Sequence, residues 1–291
     1  GPRARRLRRS DMCGRYALLT PTELLARVFD LADEPDAPWT AGPPRWNVAP
    51  SQTLPIVRHS YRLGTPGIRL ARWGLVPSWA DDPAIGNRMI NARSESAASK
   101  PSFRAAWRAR RCLVPMNGFF EWADPPEGAP RNAKKQPYWV HPEPGSAAAR
   151  SAPASENAPV SPADGESSVG AAPPVIAMAG LFERWKPDDA PDDEPALETF
   201  TILTTEANET LAELHHRMPV LLMPDEQRAW LDPSGPPDPD LARHALSPRP
   251  WPGVSLTPVS TRVNNPAHDR PDVLTPTDPD PPPPPAQPTL F

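Results

Sequence analysis

Proline occupies 47 of the 291 positions, about three times its ordinary share, and this limits the fold more than any other feature. Each proline fixes φ and lacks an amide proton. It therefore interrupts helix interiors and is confined to the ends, edges or irregular points of sheets. A chain punctuated in this way is built from short strands and short helices. The prolines also crowd into particular stretches. His141–Pro174 is rich in Pro, Ala and Ser, and from about Pro276 the chain is Asp/Pro low complexity. The first is too long for a hairpin loop and reads as a disordered insertion over 141–174, the second as a disordered tail over 276–291.

What remains, 13–275, reads as one α+β domain rich in β structure. Strand patterns occur at Tyr16–Leu19, Thr53–Arg58, Ile68–Leu75, Gln136–Val140, Val175–Phe182, Phe200–Thr204 and Val254–Val259, and Cys112–Trp122 is a strand or strand-turn-strand. Thr20-Pro21-Thr22-Glu23 has the form of a capping box, followed by the apolar stripe Leu24, Leu25, Val28 and Phe29. Ser102–Arg111 predicts a basic helix with Phe103, Ala106 and Trp107 on one side. Its Arg108, Arg110 and Arg111 then form a face open to solvent or to phosphates. Shorter helices are expected at Glu206–Leu214, Asp225–Leu231 and Asp240–Leu246. Residues 1–12 are Arg-rich without an apolar core, so they are no secretory signal and read as an N-terminal extension or a misplaced start.

The net charge of −4 hides a split. Cys13 to Ala123 holds 14 Lys and Arg against 9 Asp and Glu, while Asp124 to Phe291 holds 12 against 25. A basic first half suits a polyanionic partner, and the acidic remainder suits solvated linkers. The two cysteines, Cys13 and Cys112, form no disulfide framework and point to a reducing cytoplasm. Cys112, in an apolar strand, reads as inert packing. No stretch approaches a transmembrane span. A cytoplasmic monomer with no membrane partner and no cofactor is expected.

Cys13 follows Met12 directly. Once the methionine is removed, such a Cys carries a free α-amine and a thiol on one residue, a 1,2-aminothiol. That group condenses with an aldehyde and closes a five-membered ring, which no internal Cys can do. Eleven residues precede Met12, so the chemistry requires the mature chain to begin at Cys13.

Seven blocks occur in order: Met12-Cys13-Gly14-Arg15-Tyr16, Asn47-Val48-Ala49-Pro50, Trp73-Gly74-Leu75-Val76-Pro77, Asn91-Ala92-Arg93-Ser94-Glu95, Gly118-Phe119-Phe120-Glu121-Trp122, His215-His216-Arg217-Met218-Pro219 and Pro258-Val259-Ser260. Together they resemble the SOS-response-associated peptidase (SRAP) family, over Cys13 to about Asp272. The resemblance implies a compact β-rich single domain of distorted, barrel-like antiparallel sheets with a basic DNA-binding cleft. It also implies covalent capture of abasic sites in single-stranded DNA through a thiazolidine at the N-terminal Cys13, hence a nucleoid-associated location.

By the same resemblance Glu121 is the acid/base residue that assists carbinolamine dehydration, which partial burial of its carboxyl would suit. His215 protonates the sugar oxygen to favour the open aldehyde, and Asn91 holds the Cys13 amine or a sugar hydroxyl. Arg15, Arg93 and Arg217 suit phosphates, with Asn47 and Thr204 also on the DNA side. Trp79 is a stacking face for a base, or else a core residue. Pro101 stands where some relatives carry a basic residue, and Lys100 and Arg104 supply that charge instead. His215 beside His216 lacks the spaced partners of a metal site.

Two other classes fit parts of the pattern: a cysteine-type (auto)peptidase using Cys13, Glu121 and His215 on its own leader or on other peptides, and a non-covalent single-strand binder. At the far end, Gln287-x-x-Leu290-Phe291 resembles the short peptides with which bacterial repair proteins dock on the DNA sliding clamp. The Pro-rich tail would hold it clear of the domain.

Overall fold

The prolines are accommodated both within strands of no more than ten residues and between elements. In this computed structural model the described residues are 14–31, 42–61, 64–125, 128–130, 133–147, 149–150 and 174–278. Cys13, the 1–12 extension and Gln287, Leu290 and Phe291 lie outside them. The first strands are β1 (Tyr16–Leu18), β2 (Arg45–Val48), β3 (Thr53–Ser60), β4 (Thr65–Trp73), β5 (Asn91–Arg93), β6 (Arg111–Met116) and β7 (Gly118–Ala123). Then follow β8 (Gln136–Pro142), β9 (Ile176–Trp185), β10 (Leu197–Glu206), β11 (Arg217–Pro219), β12 (Leu221–Leu222) and β13 (Val254–Pro258). The helices are α1 (Thr22–Val28), α2 (Ser94–Ala97), α3 (Arg104–Ala109), α4 (Glu209–Ala212), α5 (Pro224–Leu231) and α6 (Pro239–Ala245).

β4, β3, β6, β9 and β10 pair in that order, and β10 returns to β4, so five strands close a barrel. Closure rests on a short parallel contact, Thr199↔Arg72 and Phe200↔Trp73. Pro55 in β3 and Pro115 in β6 both lie outside the two-residue β3–β6 ladder, Val57↔Leu113 and Arg58↔Cys112, where a missing donor is tolerated. β11, β12 and β5 extend the barrel from its rim. A second, antiparallel sheet has the order β13-β8-β7-β1-β2. The chain crosses from barrel to second sheet at buried Asn117, whose amide donates to Ala17 O (2.8 Å) and whose Oδ1 accepts from Leu19 N (2.7 Å). The β-rich α+β expectation with barrel-like sheets is therefore met.

The interior is aromatic. Trp73 and Phe200 stack with centroids 6.2 Å apart, directly at the parallel closure. Trp107 meets Trp230 edge-on at 5.9 Å, and Trp230 Nε1 donates to Cys112 O at 3.0 Å. Burial pushes the Cys112 thiol far above its ordinary range, as expected of inert packing.

Four local expectations change. The capping box at Thr20 does not form: α1 has no side-chain N-cap bond, and the Thr20 hydroxyl instead accepts from Asn117 Nδ2 at 3.0 Å. The helix expected over Glu206–Leu214 is only α4, because β10 continues through Glu206 to pair with Arg217. Arg111 is no solvated helix residue. It opens β6, is 3% exposed, and donates to the carbonyls of Trp107, Arg108, Trp230, Asp232 and Gly235. Within the span expected as an insertion, 141–174, β8 runs to Pro142, and Arg150 bridges Val175 while donating to Pro224 O at 3.0 Å. Residue 148 and residues 151–173 lie outside the described residues.

The loop leaving β4 towards Trp79 and Asn91 is closed by two glycines in contact. Gly74 has φ +124°, and a Cβ there would lie 2.6 Å from Gly86 O. Gly74→Ala therefore combines a disfavoured backbone with a backbone clash and should cost about 2 kcal/mol or more. A lowered urea midpoint is the expected result; an unchanged midpoint would show that the loop relaxes freely.

Candidate functional site

β10 runs past the closed ring, and its far half carries polar residues on both neighbours. On one side β5 pairs Asn91 with Ile202 and Arg93 with Thr204; on the other β11 pairs Arg217 with Glu206. The strand thus gathers two of the blocks, 91–95 and 215–219, separated by more than a hundred residues. Arg217, 5% exposed, holds Glu95 with two bonds, Nη1 to Oε1 at 2.5 Å and Nη2 to Oε2 at 2.8 Å. Nη2 also donates to Thr204 O at 2.7 Å. The guanidinium holds the Glu95 carboxyl below its usual range, against an opposing push from burial.

His215 stands in the turn between α4 and β11. The main-chain N–H of Arg217 donates to its Nδ1 at 3.1 Å. The ring is tilted 34° to that of His216 at a centroid distance of 4.3 Å. Burial, then the neighbouring His216, lowers the pKa of His215, with smaller opposed effects from Lys135 and Asp124. Those last two residues, themselves ion-paired at 2.8 Å, lie between β7 and β8. The imidazole therefore senses the hairpin that carries Glu121.

Glu121 lies on β7, opposite Tyr138 of β8, and is 4% exposed. The β1–β7 ladder pairs Tyr16 with Phe119, and Phe120 N donates to Arg15 O at 3.0 Å. Extended by two residues beyond Tyr16, this register would set Gly14 opposite Glu121. The start of β1 is also linked to β5: Tyr16 packs on Trp73 at 5.2 Å, and Trp73 Nε1 donates to Ile90 O at 2.9 Å, next to Asn91.

The residues expected to touch DNA divide into two groups. Trp79 is 58% exposed, which removes its core reading, and Arg93, Lys100 and Arg104 are exposed on β5 and around α2 and α3. Asn47, Thr204 and Arg217 are buried and engaged within the protein, so in this conformation they support the site from beneath. Asn47 is 0% exposed. Its Nδ2 donates to the carbonyls of Val263, Asn265 and His268, and its Oδ1 accepts from Arg15. The Arg15 guanidinium also donates to Val263 O at 2.6 Å and Asn264 O. Asp269 completes this clasp, accepting from Asn47 N (2.8 Å) and from Arg45 Nε (2.6 Å).

Sequence reasoning missed Glu95 and Asp269. Glu95 stood inside a quoted block beside Arg93, whereas nothing local pairs Asp269 with residues more than two hundred positions away. Two cavities, of about 460 and 550 Å³, are lined by none of the predicted site residues. Among the described residues no three His, Cys, Asp or Glu side chains gather as a metal ion requires, and no helix is long and apolar enough to cross a membrane.

These features define a β-rich barrel protein with its polar chemistry where the barrel rim meets a second sheet. The chain belongs to the SOS response associated peptidase (SRAP) family, whose sequence profile matches residues 12–266. It is 32% identical to the abasic site processing protein YoqW of Bacillus subtilis over 268 residues, covering 90% of this chain and 99% of that protein. It is 31% identical to the abasic site processing protein HMCES of Gallus gallus over 245 residues, covering 80% and 66% of the two chains. A crystal structure of a Bacteroides thetaiotaomicron protein shares the fold, with a TM-score of 0.60 and 24% identity over 80% of this chain and 85% of that one.

His216 supplies a positive charge against His215 whenever it is protonated. His216→Ala should therefore raise the His215 pKa towards its ordinary 6.5, read by an NMR titration of the ring. The folded ring resists protonation, so acidification through that range loads the unfolded chain first and lowers stability. The substitution should weaken that acid loss. A downward shift or none would remove His216 from the electrostatics of the site.

Proposed function

We propose that this protein captures abasic sites in single-stranded DNA, forming a thiazolidine between Cys13 and the open-chain sugar aldehyde. The observation that supports the reading is the β1–β7 register, Tyr16↔Phe119 and Ala17↔Gly118, which, extended by two residues, would set Gly14, the residue after Cys13, opposite buried Glu121. The similarity to abasic site processing proteins supports the same substrate.

The steps balance. The neutral α-amine of Cys13, with a reference pKa near 8, adds to the aldehyde carbon to give a carbinolamine. Glu121 donates a proton to the departing hydroxyl, water leaves, and the Glu121 carboxylate takes back the proton on nitrogen, so that a neutral imine remains. The Cys13 sulfur then adds to the imine carbon and its proton passes to the nitrogen. The net change is loss of one water and formation of C–N and C–S bonds. Ring closure withdraws the imine from β-elimination of the strand. The His215 ring, kept neutral by burial, is suited to exchange a proton with the sugar oxygen and favour the open aldehyde. Asn91 holds the amine or a sugar hydroxyl. Exposed Arg93, Lys100 and Arg104 meet phosphates, and Trp79 offers its face to a base beside the lesion.

All of this requires an amine at Cys13 with no residue before it. Hydrolysis of the bond before Cys13 by the same site, the peptidase reading, would provide that amine rather than compete with capture. At the other end, Gln287, Leu290 and Phe291 are assigned to the sliding clamp, with the tail as a tether.

Incubation with single-stranded DNA carrying one abasic site should give a denaturant-resistant adduct. Cys13→Ala should abolish it, and Glu121→Gln should slow it by about a hundredfold. An adduct that persists in Cys13→Ala would refute the reading. Deleting 287–291 should abolish clamp binding and leave the adduct rate unchanged; clamp binding that survives the deletion would refute the assignment of the tail.

A further inference from the structure

His215 is offered two partners by one residue. Its Nδ1 lies 3.1 Å from the Arg217 main-chain nitrogen and 3.3 Å from the Arg217 carbonyl oxygen. If Nδ1 accepts from the N–H, the neutral ring carries its proton on Nε2. If Nδ1 donates to the carbonyl, Nε2 is left bare. The two tautomers present opposite proton-transfer roles outward, and distances this similar leave the choice to the exact setting of the Arg217 backbone.

That setting depends on the Arg217 side chain, which is buried and anchored from one side. Its carboxylate partner is Glu95, through Nη1–Oε1 at 2.5 Å and Nη2–Oε2 at 2.8 Å. Thr204 O accepts at 2.7 Å from the adjoining strand. Nε has no partner among the described residues. A buried guanidinium without its carboxylate is strongly unfavourable and moves to find water or another acceptor. Any such movement shifts the main chain that selects the His215 tautomer.

We propose that Glu95 is a positioning residue for His215, acting through Arg217 to hold the ring in its Nε2–H tautomer. Glu95 sits on α2, immediately after the strand bearing Asn91 and Arg93, so one short segment supplies residues facing the substrate and the anchor for the imidazole across β10. The inference rests on the proposed role of His215. It assigns Glu95 and Arg217 to the proton-transfer apparatus rather than to the phosphates.

Long-range ¹H–¹⁵N NMR of the His215 ring tests this directly, alongside the rate of adduct formation on abasic single-stranded DNA. The full-length protein should show the Nε2–H tautomer. Glu95→Gln, which keeps the shape but removes the charge, should show a tautomer mixture and an adduct rate lowered between about tenfold and a hundredfold. Glu95→Asp should fall between the two, and it carries the same readout if Glu95→Gln does not fold. A folded Glu95→Gln or Glu95→Asp variant with His215 still wholly Nε2–H and the adduct rate unchanged would overturn the proposal. Failure of the unsubstituted protein to form any adduct would refute the proposed function, whereas the tautomer comparison would still decide the role of Glu95.

Discussion

Strand β10 pairs with four others, and the rest of the molecule depends on it. Its first half closes the barrel, antiparallel to β9 and parallel to β4. Its second half has left the ring and is flanked by β5 and β11. The parallel contact is short, but it is packed over by the Trp73–Phe200 stack. Because the same strand carries both functions, distortion of the barrel closure would be transmitted directly to Asn91 and Arg217.

Charge inside this structure is matched group by group. Arg111 has no carboxylate within salt-bridge distance among the described residues and is satisfied by five carbonyls, tying β6 to α3 and to the turn after α5. Arg58 holds Glu198 with two bonds, at 2.6 and 2.9 Å. Arg217 holds Glu95. Such groups are expensive to bury and strongly destabilising to leave half-paired. They therefore fix geometry where a purely apolar interface would permit sliding. Basic residues that a sequence presents as one surface are here divided between struts, the half-buried Arg15 and the buried Arg111 and Arg217, and exposed cations, Arg93, Lys100 and Arg104.

The same division explains how much could be read before the structure. Alternation and apolar runs located β3, β4, β8 and β10 because those strands each present a continuous buried face. β11 and β12, of three and two residues, are too short to carry a period. Thr20 had the local grammar of a helix cap, but Asn117, nearly a hundred residues on, took its hydroxyl. The candidate site was legible as residue types in ordered blocks, since Asn91, Glu121 and His215 all flank the barrel rim or the adjoining sheet. Burial was not legible: Asn47, Thr204 and Arg217 look like surface polar residues in one dimension and become supports only when distant segments cover them.

The proposed capture rests on one residue, Cys13, supplying both bonds to the sugar. Nuclease and protease digestion of the adduct followed by mass spectrometry of the peptides tests it most directly. The account predicts that the sugar remnant lies on a peptide whose first residue is Cys13, with a mass lower by one water than the sum of its parts and no free thiol. A remnant on a lysine, or on a peptide that still carries Met12 ahead of Cys13, would contradict it.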